Sequence, residues 1–133
     1  QERFALIYGD SYLPTDFSKP HDLFINSKYP ALMTVYENNN RIEKSNVSFD
    51  GEKIIRYAKE GSNYSNRFID YGLMFLSKHL FLNYNYSTKI DLGNLLADWV
   101  SVGKVYGYPV SERFYEIGSF VGIADLERYL RSK

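Results

Sequence analysis

Four charged residues of this sequence stand where chemistry could be done. Asp10 closes the apolar run in "FALIYGDSYLP", Glu116 follows "RFY" directly before "IGS", Lys59 sits in "IIRYAKEG", and Asp70 interrupts "RFIDYGLMFLS". A run that stops at Gly9-Asp10 is either an ordinary turn or a strand end that offers a carboxylate to a ligand. Glycine permits positive φ and aspartate bonds its own backbone, which makes the turn; open α/β folds bind outside the carboxyl ends of their strands, which makes the ligand site. Two carboxylates at neighbouring strand ends, Asp10 and Glu116, would suit Mg²⁺, which takes one or two carboxylates plus substrate phosphates. The plain alternative is a turn aspartate and a solvated glutamate. Lys59 by itself is a solvated lysine or, at a ligand, a point charge for phosphate. Asp70 needs partners if it is buried. It could accept hydrogen bonds from sugar hydroxyls, or pair with Arg67 or Arg56.

Other chemistries find no support in the sequence. There is no G-x-S-x-G, H-E-x-x-H, G-x-x-x-x-G-K-[ST] or G-x-G-x-x-G, and His21 and His79 are isolated, one beside a proline and one beside an apolar run. Lys plus Arg and Asp plus Glu both number 16, so no global basic field exists to drive nucleic-acid binding. Without cysteine there is neither a disulfide framework nor a thiolate metal site. No apolar run approaches the ~18 residues of a membrane span, and the N-terminus has no signal-peptide pattern. The expectation is a soluble, cytoplasmic protein. The 13 tyrosines and 9 phenylalanines read first as strand and core-edge packing and only second as a sugar-stacking surface. The Asn-x-Ser sequons at Asn46, Asn63 and Asn85 follow from an Asn- and Ser-rich composition.

The elements that must position these residues fit one domain, since 133 residues can bury roughly two thirds of their unfolded surface. Phe4 to Tyr8 reads as a short buried strand. Thr15 or Asp16 can cap a short helix with Pro20 in its first turn and with Leu23 and Phe24 facing inward. "ALMTVY", residues 31 to 36, is a second buried strand, and the polar "ENNNRIEKS" after it a surface loop. Two β-prone runs about Asp50-Gly51 signal a hairpin. The run from Arg67 to Ser77 is a strand whose interior Gly72 marks a bulge or a close approach by a ligand. In "DLGNLLADWVSVG", Asp91 can cap a helix and Gly103 stop it, with Leu92, Leu95, Leu96, Trp99 and Val100 on one face. "KVYGYPV" and "RFYEIG" are strands, the first near an edge because of Pro109. From Ser119 a terminal helix carries Ile123, Leu126 and Leu130 on one stripe. The pattern is an α/β domain with a mixed sheet.

Taken in order, "LIYGDSYL", the stretch from "ALMTVY" through "YAKEG", "FIDYGLMFLS", "GKVYGYPV" and "FYEIGSFVGIADLERYL" resemble the later part of the sugar-1-phosphate nucleotidylyltransferases, among them the mannose- and heptose-1-phosphate guanylyltransferases. The resemblance covers essentially the whole chain. It implies the three-layer, Rossmann-like nucleotide-diphospho-sugar transferase fold with a mixed sheet. It further implies that residues 1–133 form the C-terminal, sugar-phosphate-binding part, without the N-terminal Gly-rich loop that wraps the triphosphate. Such a part exposes a sheet edge that invites self-association into a homo-oligomer.

By the same resemblance, Gly9-Asp10 matches the strand end that supplies a catalytic, metal-binding carboxylate, and Lys59 the lysine that contacts the sugar phosphate. Asp70-Tyr71-Gly72 matches the Asn-x-Gly strand that touches the sugar through Asp70 and the Gly72 backbone. Glu116-Ile117-Gly118-Ser119 matches Asp-Ile-Gly-Thr, whose acid is the second metal ligand. Ala58 and Glu60 flank Lys59 where glutamate and proline are usual, and Glu116 is longer than the usual aspartate. The activity implied is transfer of a nucleotidyl group from a nucleoside triphosphate to a sugar-1-phosphate with Mg²⁺, the isolated part being inactive. The alternative is a noncatalytic sugar-phosphate-binding or protein-interaction domain of the same fold.

Overall fold

The two most apolar runs of the sequence lie side by side at the centre of the sheet in the computed structural model, which describes residues 2–58, 66–85 and 87–133. In chain order the elements are β1 (Arg3–Ile7), β2 (Ser11–Tyr12), α1 (Ser18–Asn26), β3 (Ala31–Glu37), β4 (Val47–Phe49), β5 (Ile54–Tyr57) and β6 (Phe68–Ser77). A short 3-10 turn over Lys78–Phe81, α2 (Leu92–Ser101), β7 (Val105–Val110), β8 (Tyr115–Glu116) and α3 (Phe120–Arg131) complete them. The main sheet runs β5-β4-β6-β3-β7, with β1 also paired to β6, and β2 with β8 forms a separate two-stranded ribbon. β3 and β7 are parallel from Ala31↔Val105 onward, whereas β1, β3 and β4 all meet β6 antiparallel, so the sheet is mixed as the sequence predicts.

Alternation along the central strands sends side chains to two cores. Met33, Val35, Met74 and Leu76 pack beneath Leu95, Leu96, Trp99 and Val100 of α2, while Leu32, Leu73 and Phe75 face Phe24 of α1 on the opposite side. A helix on each face makes three layers. The α2 boundaries follow the expected signals: the Asp91 carboxylate accepts from Asn94 N–H at 3.2 Å, and Gly103 takes φ +73° where the helix stops. The hairpin turns at Gly51, φ +101°, with Asp50 accepting from the Glu52 and Lys53 N–H groups.

Two expectations change, and a third holds with added detail. The α1 cap position is Phe17, with Asp16 instead gripping the N–H and hydroxyl of Ser18, and Leu23 faces solvent while Phe24 alone of that pair is buried. The stripe on α3 is not buried: Ile123 is 48% and Leu130 47% exposed, because the helix is held to β8 mainly through Tyr129, which stacks on Tyr115. The "ENNNRIEKS" loop is polar but internally built. Asn38 is fully buried and donates to the Glu43 carbonyl and Ser45 hydroxyl while accepting from Ile42 N–H.

On the side away from β6, β1 has no strand neighbour among the described residues, and its Ile7 is 50% exposed. No helix among the described residues is long and apolar enough to cross a membrane.

Candidate functional site

Tyr8, the first residue after β1, donates its N–H to the Gly72 carbonyl at 2.9 Å, and the chain then turns through Gly9 and Asp10 into β2. There Ser11 pairs with Glu116 of β8, and Ile117 N–H donates to the Asp10 carbonyl at 2.9 Å. Asp10 and Glu116 therefore sit at neighbouring strand ends, as their spacing in sequence only suggested.

Asp70 reaches the same place from β6. Between the pairs Val35↔Asp70 and Met33↔Met74 the strand bulges, Gly72 takes φ +94°, and the Thr34 hydroxyl bonds the Leu73 carbonyl at 2.6 Å. The bulge expected at Gly72 is present, and the group that approaches closely is the Tyr8 ring: a Cβ at position 72 would lie 3.2 Å from Tyr8 Cδ2. Loop 38–46 adds Glu43 and Asn46, and β5 adds Tyr57. Tyr8, Asp10, Ser11, Asn46, Tyr57, Asp70 and Glu116 all line one cavity of about 170 Å³. A wider trough of about 760 Å³ over Tyr36, Phe49 and Pro109 shares no residue with it; its charged lining is the Glu37–Arg67 ion pair and Asp50, which is bonded to its own turn.

The environment of each acid differs. Asp70 is 8% exposed; its carboxyl accepts the Tyr8 hydroxyl at 2.5 Å and the Gly72 N–H at 3.0 Å, and its own N–H donates to Asn46 Oδ1 at 3.0 Å. It has no ion-pair partner among the described residues, and Arg67 pairs with Glu37 instead. Burial holds the Asp70 carboxyl above the usual carboxylate range, with the bonds from Tyr8 and Gly72 pulling the other way. Burial and then Asp70 push the Tyr57 phenol up to about 12, and the same causes raise Tyr8 further. Both phenols keep their protons at neutral pH.

Asp10 is exposed, and among the described residues its carboxylate has a long 3.4 Å contact from the Ser11 hydroxyl and no other hydrogen bond. Glu116 is turned back on its own loop, accepting from the Gly118 N–H and from the Ser119 hydroxyl at 3.0 Å, and Ser119 in turn caps α3 at Gly122 N–H. Among the described residues no group of three or more His, Asp or Glu is placed to hold a metal ion. The donor set is still of the kind Mg²⁺ takes with substrate phosphates: Asp10 is free to bind, and Glu116 retains lone pairs beyond its two local bonds. Lys59 lies outside the described residues.

Nothing in the sequence marks Tyr8, Glu43 or Tyr57 as a site residue, and Asn46 stands out there only as a sequon. The available signal was the asparagine run itself: Asn39 and Asn40 take φ +48° and +61°, which fold loop 38–46 back over the site.

No protein-family model matches the chain, and no curated protein does. Solved structures match closely in shape. A candidate glucose-1-phosphate thymidylyltransferase from Bacillus anthracis, solved with a sucrose, gives a TM-score of 0.82 at 14% identity over 99% of this chain. The inositol-1-phosphate CTP transferase from T. maritima gives 0.72 at 20% identity over 100%, and HddC from Yersinia pseudotuberculosis 0.67 at 17% over 97%. In each case the chain spans 56% of the length of the matched protein. It thus carries, across about half of their length, the mixed α/β fold of these three structures.

Proposed function

We propose that this domain is the sugar-phosphate half of an enzyme that transfers a nucleotidyl group from a nucleoside triphosphate to a sugar-1-phosphate. The observation that carries the reading is the convergence of Asp10, Asp70 and Glu116, from three separate elements, on one polar cavity. An oxygen of the sugar-1-phosphate forms a bond to the α-phosphorus, the bond from that phosphorus to the bridging oxygen breaks, and pyrophosphate leaves with the electron pair.

This chain's part is to bind and orient the acceptor. Asp70 and the Gly72 carbonyl meet the sugar hydroxyls through the lone pairs left beyond their bonds from Tyr8 and the Gly72 N–H, and Lys59 meets the phosphate. Asp10, with Glu116 beside it, would hold Mg²⁺, which supplies charge neutralisation at the phosphates. The relatives' substrates, a glucose-1-phosphate and an inositol-1-phosphate, are polyol phosphates of the kind such a cavity suits. The expected localisation is cytoplasmic.

In the polypeptide that carries the whole fold, Asp10→Asn should lower Mg²⁺-dependent pyrophosphate release by a hundredfold or more, roughly the loss seen when one preorganised charge-stabilising group is removed. Unchanged turnover at saturating Mg²⁺ would end the assignment. A binding-only domain is the second reading, favoured by the engagement of both Glu116 carboxylate oxygens with its own loop. Calorimetric binding of a sugar-1-phosphate without pyrophosphate release from any triphosphate would select it.

A further inference from the structure

We propose that Tyr8 is a positioning residue, whose hydroxyl clamps the Asp70 carboxyl and ties it to the Gly9-Asp10 turn. The functional part of this inference rests on the reading of Asp70 as a sugar contact; the clamp itself does not.

Three observations meet at this residue. The Tyr8 hydroxyl reaches Asp70 Oδ2 at 2.5 Å, a short bond of the kind made to a carboxylate. The other oxygen, Oδ1, takes the Gly72 N–H at 3.0 Å, so that both carboxyl oxygens are spoken for and a rotation about the side chain breaks both bonds. Tyr8 is also joined to the bulge through its own backbone, N–H to the Gly72 carbonyl at 2.9 Å, and its ring occupies the space that any Cβ at position 72 would need.

Glycine at 72 is thus required twice, for φ +94° and for the ring that lies against it. Asn46 completes the frame by accepting the Asp70 N–H, and Tyr57 stands beside the Tyr8 hydroxyl on the cavity wall. Because Asp10 follows Tyr8 by two residues, the clamp sets the spacing between the acid on the β1 turn and the acid on β6. A loose Asp70 would still face the cavity, but in several orientations, and ligand binding would have to select one of them.

The test uses Tyr8→Phe, which keeps the ring against Gly72 and removes only the hydroxyl, with Trp99 fluorescence reporting that the core is formed. The Gly72 amide hydrogen, which is bonded to Asp70, should exchange about tenfold faster than in the wild type, while the Leu96 amide in α2 is unchanged. Glucose-1-phosphate or mannose-1-phosphate, titrated calorimetrically into the 133-residue chain with Mg²⁺, should bind about tenfold more weakly. In an Asp70→Ala background, Tyr8→Phe should cause no further loss of affinity, since a residue that acts through another has no effect once that residue is gone.

Unchanged Gly72 exchange overturns the clamp, as does an equal loss of affinity in both backgrounds. If the wild-type chain binds neither sugar phosphate while Gly72 exchange still accelerates in Tyr8→Phe, the clamp stands and the sugar-phosphate reading fails. Should Tyr8→Phe not fold, Asp70→Asn, which keeps an acceptor for the Gly72 N–H and a partner for Tyr8, must retain slow Gly72 exchange; rapid exchange there refutes the clamp.

Discussion

Replacing Asp70 by Asn should stabilise the folded chain at neutral pH, although it removes a hydrogen-bonded acid from the candidate site. The carboxyl is nearly enclosed, receives two hydrogen bonds from neutral donors, and has no ion-pair partner among the described residues. Among the described residues, the other titratable groups lining its cavity, Asp10, Glu43, Glu116, Tyr8, Tyr57 and Tyr71, include no cation. Its folded pKa is therefore raised above the unfolded value near 3.9. The sign follows from proton binding: between those two values the folded state holds more protons than the unfolded state. Wild-type stability should then fall as pH rises from about 4, by at most about 1.36 kcal/mol per pH unit, and level off above the folded pKa. An asparagine keeps an acceptor for the Gly72 N–H and turns its amide toward the Tyr8 oxygen. It gives up the charge-assisted part of two bonds, about 2–3 kcal/mol together, and escapes an effective desolvation cost of several kcal/mol. The net expectation is a gain of about 1–2 kcal/mol at pH 8 and a difference near zero at pH 4. Urea unfolding followed by the fluorescence of Trp99, the one tryptophan and a buried one, measures this at each pH. A wild type more stable than Asp70→Asn by 1 kcal/mol at pH 8, or the same difference at both pH values, would refute the view that burial dominates at this site.

Asn38→Ala removes three hydrogen bonds that hold loop 38–46, and should cost about 3 kcal/mol in urea unfolding at roughly 1 kcal/mol per bond; a loss below about 1 kcal/mol would mean the loop is held elsewhere. At high protein concentration the chain should associate through the edge of β1 that has no strand neighbour among the described residues, and Ile7→Lys, which puts a charge on that edge, should return it to monomer; sedimentation of the wild type as a monomer throughout would contradict this.

The parts of the fold that could be read in the sequence are those fixed by local chemistry. The Asp91 cap, the Leu95, Leu96, Trp99 and Val100 face and the Gly103 stop of α2 lie within one stretch, and each does what its residue type favours. The hairpin at Asp50-Gly51 is likewise a property of two adjacent residues. Where the outcome depends on what covers a surface, sequence was a weaker guide. Ile123, Leu126 and Leu130 do share a stripe, but only Leu126 is partly covered while Ile123 and Leu130 stay exposed, and the helix is fastened through Tyr129, one turn beyond Leu126, which stacks on Tyr115. Leu23 failed for the same reason: neighbouring apolar residues on a helix point about 100° apart, and only Phe24 meets the sheet. Loop 38–46 lies at the surface as its polar residues predict, but its internal frame has no local signature: buried Asn38 replaces backbone pairing because its donors and acceptor all find partners.

The site divides along the same line. Asp10 and Glu116 could be nominated from strand-end positions, but their proximity is produced by the β2–β8 ribbon, two residues a side, too short to carry a pattern. Tyr8 was invisible because one of thirteen tyrosines at the end of a strand has no distinguishing neighbour; its role appears only when Gly72 removes the Cβ that would block it. The resulting cavity explains why Asp10 is the discriminating position. Asp10, Glu43, Asp70 and Glu116 line it with no lysine or arginine among the described residues. A phosphate would be repelled from such a wall unless positive charge came with it or from Lys59. Asp70 is bonded to Tyr8 and Gly72, and Glu116 to Gly118 and Ser119, whereas among the described residues Asp10 has both oxygens open apart from one long contact. Of these three acids it is the one whose oxygens accept no well-formed bond among the described residues, whereas Glu116 would have to share its remaining lone pairs, so any metal dependence of phosphate binding should pass through Asp10 before it involves Glu116.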